Sequence, residues 1–329
     1  MCRSESELLV HVSRRAMACE FEICFPGARY PQGTELAMEA LDLVETLEEQ
    51  LSYFRPTSEL NRINLLAGDG PVEVEEGLFE LLRLAMEIHA ETQGAYDITA
   101  APLWEVWGFA RRLGEIPSDA ALDEARSRVG SQWIELDCAR RTVRFQKPGM
   151  KLNLGSIGKG YALDRCVEHL LAGGMKDFLL HGGQSSVVAR GSSAERSETE
   201  SPADWEIGLT NPGQPGHRLG LVHLANRALG TSGGQFQSFR YRGRRYGHVL
   251  DPRTGWPAEG VLLATVLAPT AAVADALSTA FYVLGWEQSA VLCRSRPERG
   301  LIMAVSEAGR GVRLQRVGVG EEEFLVQTE

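Results

Sequence analysis

Residues 153 to 164 read NLGSIGKGYALD. A strand-like stretch ends in glycines here, and a helical pattern then covers residues 156 to 172, with Gly173 and Gly174 as its stop. Gly155, Gly158 and Gly160 are spaced GxxGxG. That order matches neither the GxxxxGK[ST] of a P-loop nor the GxGxxG of a dinucleotide-binding βαβ unit. The backbone N–H groups at such a helix start attract phosphate, and Lys159 adds a positive charge beside them. A plain strand-to-helix turn with a surface lysine accounts for the same residues equally well.

Outward from this turn, strands are expected near 177 to 181 and 185 to 190, and two more before it, near 132 to 137 and 142 to 146. LLVHVS and ACEFEICF, within residues 7 to 25, alternate apolar and polar and read as strands. Ala37, Leu41, Val44, Leu47 and Leu51 mark one face of a helix from about Thr34, and Leu78, Leu82, Ala85 and Ile88 mark another over 75 to 92. Ser58 is placed to cap a short helix between them, 94 to 102 is a turn-rich loop, and 118 to 128 is a helix. Short strands with Gly-rich turns fill 205 to 249. A strand at 261 to 268, helices at 270 to 284 and near 286 to 294, and two closing strands complete the chain. Residues 191 to 204, GSSAERSETESPAD, have no apolar pattern and read as a mobile surface insertion. There is no repeat and no steady βαβ alternation. The expected class is α+β, with mixed, largely antiparallel sheets and packed helices.

Composition narrows the function classes. The chain has 329 residues, 43% hydrophobic and 24% charged, enough for a large core without staples. A net charge of -10 argues against a nucleic-acid partner. The six cysteines are scattered without a CxxC pair and read as reduced thiols. No apolar run reaches membrane-helix length and no secretory signal is visible, so a cytoplasmic location without membrane insertion is expected, or a periplasmic one if the native N-terminus is longer.

Three more stretches combine glycines with polar residues. In TAAVADALSTAFYVLG, Asp275 and Thr279 lie four apart on one helix face, and their oxygens suit Mg²⁺. An acid in the first turns of a helix explains Asp275 as well. GHVLDPRTGWP, residues 247 to 257, holds His248 before a DPRTG turn; a proton-accepting role and a plain turn histidine both remain open. TSGGQFQSF, residues 231 to 239, offers either close backbone approach to a ligand or a Gly-Gly hairpin turn. Arg240, Arg242, Arg244 and Arg245 follow it, and their alternation suggests an exposed, solvated hairpin face. HExxH, GxSxG and protein-kinase motifs are absent.

In this order the stretches resemble the ApbE family of FAD:protein FMN transferases, from about Met17 to Gly285. MACEF is similar to the family's MGTxF, SYFRPTSELNRIN to SxYxPxSELSRLN, and GAYDITAAPLWEVWGF to GxxDxTxxPLxxxWGF. NLGSIGKGYALD resembles DLGGIAKGYAVD, LLHGG the NxGG strand, HVLDPRTGWP resembles HIIDPxTGxP, and ADALSTAFYVLG resembles ADALATALFVMG, with TSG in its place. The resemblance implies a two-lobed single domain over residues 1 to 329. It implies that Met17, Phe54, Ala95, Tyr96, Asp97 and Val249 line the flavin and adenosine site, with Asn153 and Lys159 along the pyrophosphate. Ser156, Asp275 and Thr279 match the metal side, for Mg²⁺ or Mn²⁺, and His248 matches the proposed catalytic base. The implied reaction transfers FMN from FAD to a Ser/Thr hydroxyl in a short target motif of an acceptor protein, releasing AMP. The alternatives are an FAD-binding or storage protein without turnover and a metal-dependent FAD pyrophosphatase. The sequence departs from the pattern at Asn153 and Gln184, where the family has Asp, at Gly234 and Ser278, and at Ala18-Cys19.

Overall fold

The computed structural model describes residues 8–111, 114–193, 205–214, 216–234, 238–307 and 311–327. Most of the stretch read as a surface insertion, residues 194–204, lies outside the described residues. Among the described residues the largest sheet has eight strands. Their spatial order is Leu9–Ala16, Cys19–Pro26, Phe178–Gly182, Ser186–Arg190, Ala228–Gly233, Val261–Ala268, Gly300–Glu307 and Gly311–Val317. Every neighbouring pair is antiparallel.

Successive side chains of a strand point to opposite faces, and both faces of this sheet are covered. Leu263, Leu267, Ile302 and Ala304 meet Trp205, Val222 and Phe324 on one face. Those residues belong to a three-stranded sheet of Phe324–Val326, Arg218–Leu224 and Trp205–Thr210. The last of the closing strands, Phe324–Val326, is one more than the sequence pattern suggests. Ala264, Val266, Leu301 and Met303 point the other way, into an apolar cluster that runs through Leu277 and Ile157 to Leu82 and Leu60.

The helices are α1 (Gly33–Leu51), α2 (Glu59–Leu66), α3 (Glu76–Glu91), α4 (Ala101–Val106), α5 (Asp119–Ser127), α6 (Gly158–Ala172) and α7 (Ala271–Arg294). α1 buries Ala37, Leu41 and Val44, the stripe that its sequence predicts. Ser58 caps α2 as expected, its hydroxyl accepting from the Asn61 N–H at 3.1 Å. α4 is a finding: the turn-rich reading of 94 to 102 gave no hint of it, because it is only six residues long, with Pro102 in its first turn. The backbone at Gly285, with φ of 74°, interrupts α7, so the two helices expected on either side meet at a kink. Helices and antiparallel sheets mixed in this way make the fold α+β. Among the described residues no helix is long and apolar enough to cross a membrane.

Candidate active site

The first turn of α6 crosses α7 with almost no room between them. A Cβ at Gly160 would stand 2.2 Å from the Ala271 carbonyl oxygen, so only glycine fits. That closeness lets the Gly160 N–H donate to Asp275 Oδ2 at 2.8 Å. One turn further along α6, Asp164 accepts from the Ala271 and Ala272 N–H groups at 2.8 and 2.9 Å. The Thr270 hydroxyl accepts from the Val273 N–H, so the free donors that open α7 are satisfied. A third element closes in from the sheet. A Cβ at Gly230 would lie 2.4 Å from the Ala274 carbonyl carbon, and Ser186 donates its hydroxyl to Asp275 Oδ2 at 2.9 Å.

Asp275 is therefore buried by design of its neighbours, and burial pushes its carboxyl up to about 6, against the opposing pull of the Lys159 ammonium and the Ser186 and Gly160 hydrogen bonds. Burial likewise lifts Asp164 to about 6. Lys159 donates to Ser185 at the end of the strand pair beside it. Around Asp275 the hydroxyls of Ser232 and Ser278 are 2.8 Å apart, and Ser232 and Thr279 are 3.2 Å apart.

These groups open onto a cavity of about 600 Å³. Of the residues singled out from sequence, Phe54, Ala95, Tyr96, Asp97, Asn153, Ser156, Lys159, His248, Val249, Asp275 and Thr279 all line it. The structure brings these together from α6, α7, three loops and the segment after the Arg244–Gly247 strand. Met17 does not line it. Met17 and Ala18 both have positive φ (48° and 60°) and form the tight turn between the first two strands. That turn directs Met17 onto the apolar cluster under α1, and its N–H donates to Glu48 at 2.9 Å; Cys19, two residues on, reaches the cavity instead.

Two other residues serve the frame as well as the cavity wall. Both carboxylate oxygens of Asp97 are engaged by protein donors: Thr99 and Ser131 on Oδ1, the Ser131 N–H and His89 on Oδ2. Burial opposes the charge on Asp97, but these bonds outweigh it and hold the carboxyl below its ordinary range. Burial also opposes charge on His89, yet the hydrogen bond and charge of Asp97 raise its pKa above the ordinary histidine value. Asn153 spends its Oδ1 on the Gly155 N–H at 2.8 Å, fixing the turn that opens α6.

Ser186 and Asp164 were not among the candidate residues, while Ser232 stood in the TSGG stretch and Ser278 at a departure from the family pattern. Serines are common everywhere, and only the approach of the strands to α7 brings Ser186, Ser232 and Ser278 together around it, while Asp164 acts from α6. A weak signal existed for Asp164, four residues after Gly160 and so on the same helix face.

The donor set fits a hard divalent cation. Asp275 Oδ1 takes no hydrogen bond among the described residues, while Oδ2 is fully used. Its neighbours are hydroxyls, the oxygen donors that Mg²⁺ or Mn²⁺ accepts. No group of three or more His, Cys, Asp or Glu is set to hold a metal among the described residues. A cation here would need waters and substrate phosphates to complete its shell, as Mg²⁺ commonly does.

Comparison with known proteins follows the same residues. The model of the ApbE family matches residues 17–303. An FAD:protein FMN transferase of Treponema pallidum is 32% identical over 267 residues, covering 79% of this chain and 74% of that protein. The apo flavinyl transferase ApbE of Pseudomonas stutzeri superposes with a TM-score of 0.83 at 26% identity, over 99% of this chain and 100% of its own. The ApbE protein of Thermotoga maritima gives 0.82 at 27% identity, over 94% and 97%. With the family model matched over residues 17–303 and the fold shared over nearly its whole length, the chain belongs to the ApbE family.

Proposed function

We propose that this chain is an FAD:protein FMN transferase, moving FMN from FAD to a serine or threonine hydroxyl of an acceptor protein and releasing AMP. The observation that carries this reading is the meeting of Asp275, Thr279, Ser156, Lys159 and His248 on one cavity, in a chain whose relative in Treponema pallidum bears that name. The acceptor oxygen bonds to the FMN-side phosphorus, the bond from that phosphorus to the bridging oxygen breaks, and AMP departs with that oxygen. Asp275 and Thr279, with Ser156, would hold a divalent cation, which would supply charge neutralisation at the pyrophosphate.

The chain's own groups do the rest. His248 accepts the proton of the attacking hydroxyl, as an imidazole does near neutral pH. Lys159 and the N–H groups opening α6 hold the pyrophosphate. Phe54 and Trp104, with ring centroids 6.2 Å apart at the cavity wall, offer apolar faces to the ring systems of FAD.

The test is incubation with FAD, Mg²⁺ and a synthetic peptide carrying a Ser/Thr-Gly-Ala-Ser/Thr target, read by mass spectrometry. The expected result is a peptide heavier by FMN, with AMP in equal amount. AMP released equally fast without peptide would instead favour hydrolysis of FAD, and FAD bound without either product would favour storage.

A further inference from the structure

The hairpin that leads into His248 carries charge that its own fold does not use. Its strands are Ser238–Tyr241 and Arg244–Gly247. One face is anchored: the Phe239 and Tyr246 rings stack with centroids 5.4 Å apart, against Trp107 and Phe109. The other face sets Arg240 directly opposite Arg245. Like charges paired across strands destabilise a hairpin. At the tip, Arg242 and Gly243 have φ of 47° and 81°, a turn that favours Asn or Gly at the position Arg242 occupies.

Neither arrangement is repaid within the chain. Among the described residues Arg240 makes no ion pair and no side-chain hydrogen bond, and Arg242 only overlies the Tyr241 ring at 5.3 Å. Arg244 pairs with Glu259. Arg245 donates to the Gly234 carbonyl at 2.7 Å, tying the hairpin to the Thr231–Gly233 segment of the cavity wall. All four arginines are exposed and none lines the cavity, so their charge is not directed at the nucleotide phosphates. In a chain of net charge -10, Arg240 and Arg245 on one hairpin face, with Arg242 at the tip, make a local positive face in the segment that leads into His248.

We propose that the arginine face of this hairpin is a docking surface for an acidic segment of the acceptor protein, seated beside the hydroxyl that is modified. The inference rests on the transferase reading and specifies its partner. Complementary charge draws the acceptor in and sets its register, which raises association rate more than chemistry.

Two peptides with one target motif separate the possibilities, one flanked by a run of glutamates and one by serines. Fluorescence anisotropy measures binding of each, and mass spectrometry measures FMN transfer. The glutamate-flanked peptide is expected to bind roughly tenfold more tightly at low salt. That preference should vanish in 0.5 M NaCl, on the order of a Debye length of a few ångströms. It should vanish equally in the double variant R240E/R242E, with transfer to the serine-flanked peptide unchanged. Equal binding of both peptides by the unaltered chain, or a preference that survives in the double variant, overturns the docking surface. Because binding is read separately, a lack of transfer to either peptide would count against the transferase reading alone. Phosphatidylserine vesicles form a third arm: capture by vesicles that R240E/R242E abolishes, without any peptide preference, would assign the face to membranes and overturn the proposal.

Discussion

The Gly160 N–H donates to Asp275 Oδ2 at 2.8 Å, and this bond joins the start of one helix to the second turn of another. Because that oxygen is also held by Ser186, the carboxylate has one orientation, with Oδ1 left for other partners. The turn that opens α6 and the Asp275 carboxylate are thus one unit, positioned together.

Replacing Asp275 with Asn keeps the shape and removes the charge. Loss of cation-based charge stabilisation is a matter of several kcal/mol. FMN transfer should fall on the order of 10³-fold at saturating FAD. Thermal melting of the variant should stay at or above that of the parent, since a buried charge is removed. Transfer within tenfold of the parent would dismiss the metal role of Asp275.

Gly160→Ala should act on structure and activity together. Its methyl would meet the Ala271 carbonyl, so α6 and α7 must part, at a cost of about 1–3 kcal/mol. Calorimetry should show a lower Tm, and transfer should drop because Asp275 loses its N–H partner. Unchanged melting would mean the helices have slack that the geometry denies.

Asp164 touches the N-terminus of α7 and positions Asp275 without reaching the cavity. Asp164→Ala removes two capping bonds, worth about 1–2 kcal/mol in all. The readout that separates positioning from general damage is metal titration: the Mg²⁺ concentration for half-maximal transfer should rise more than the KM for FAD. Equal shifts in both would reduce Asp164 to a stabilising role.

Phe54 is 66% exposed, so its truncation should leave stability alone. Ring stacking contributes about 0.5–1.5 kcal/mol. Phe54→Ala should therefore raise the KM for FAD by roughly three- to tenfold with kcat little changed. A fall in kcat at constant KM would move Phe54 from binding to the chemical step.

The His89–Asp97 pair predicts a pH dependence of stability. His89 has its pKa raised in the folded chain, so its contribution is complete below the unfolded value, about 6.5, and fades as pH climbs through the folded one. Asp97 has its pKa lowered, so its contribution holds above about 4 and fades as pH drops through its folded value. The pair stabilises most between those limits. The Tm difference between the parent and His89→Gln should shrink from pH 6 to pH 9; a constant difference would show that the pair is not ionised as drawn.

Periodicity was a sound guide wherever a side chain's neighbours are local or face one core. The stripes of α1 and α3 and the cap at Ser58 follow from spacing alone. Short elements escaped it. α4 has too few residues to show a period, and Val72–Glu73 is only a two-residue strand. At the site, Met17 shows how a motif position can be right in order and still point elsewhere, because a turn with two positive φ values turns the side chain onto α1.

The sequence by itself determined the family, the α+β class and the set of polar residues worth watching, since glycine spacing, helix stripes and motif order are properties of the chain alone. Tertiary structure decided which of those residues are shared by one cavity, that Asp97 is consumed by the frame, and that Ser186 and Asp164 fix Asp275. The reason is physical: a hydrogen bond between residues 115 positions apart depends on how closely two backbones approach, and that distance is set by the whole sheet-and-helix assembly.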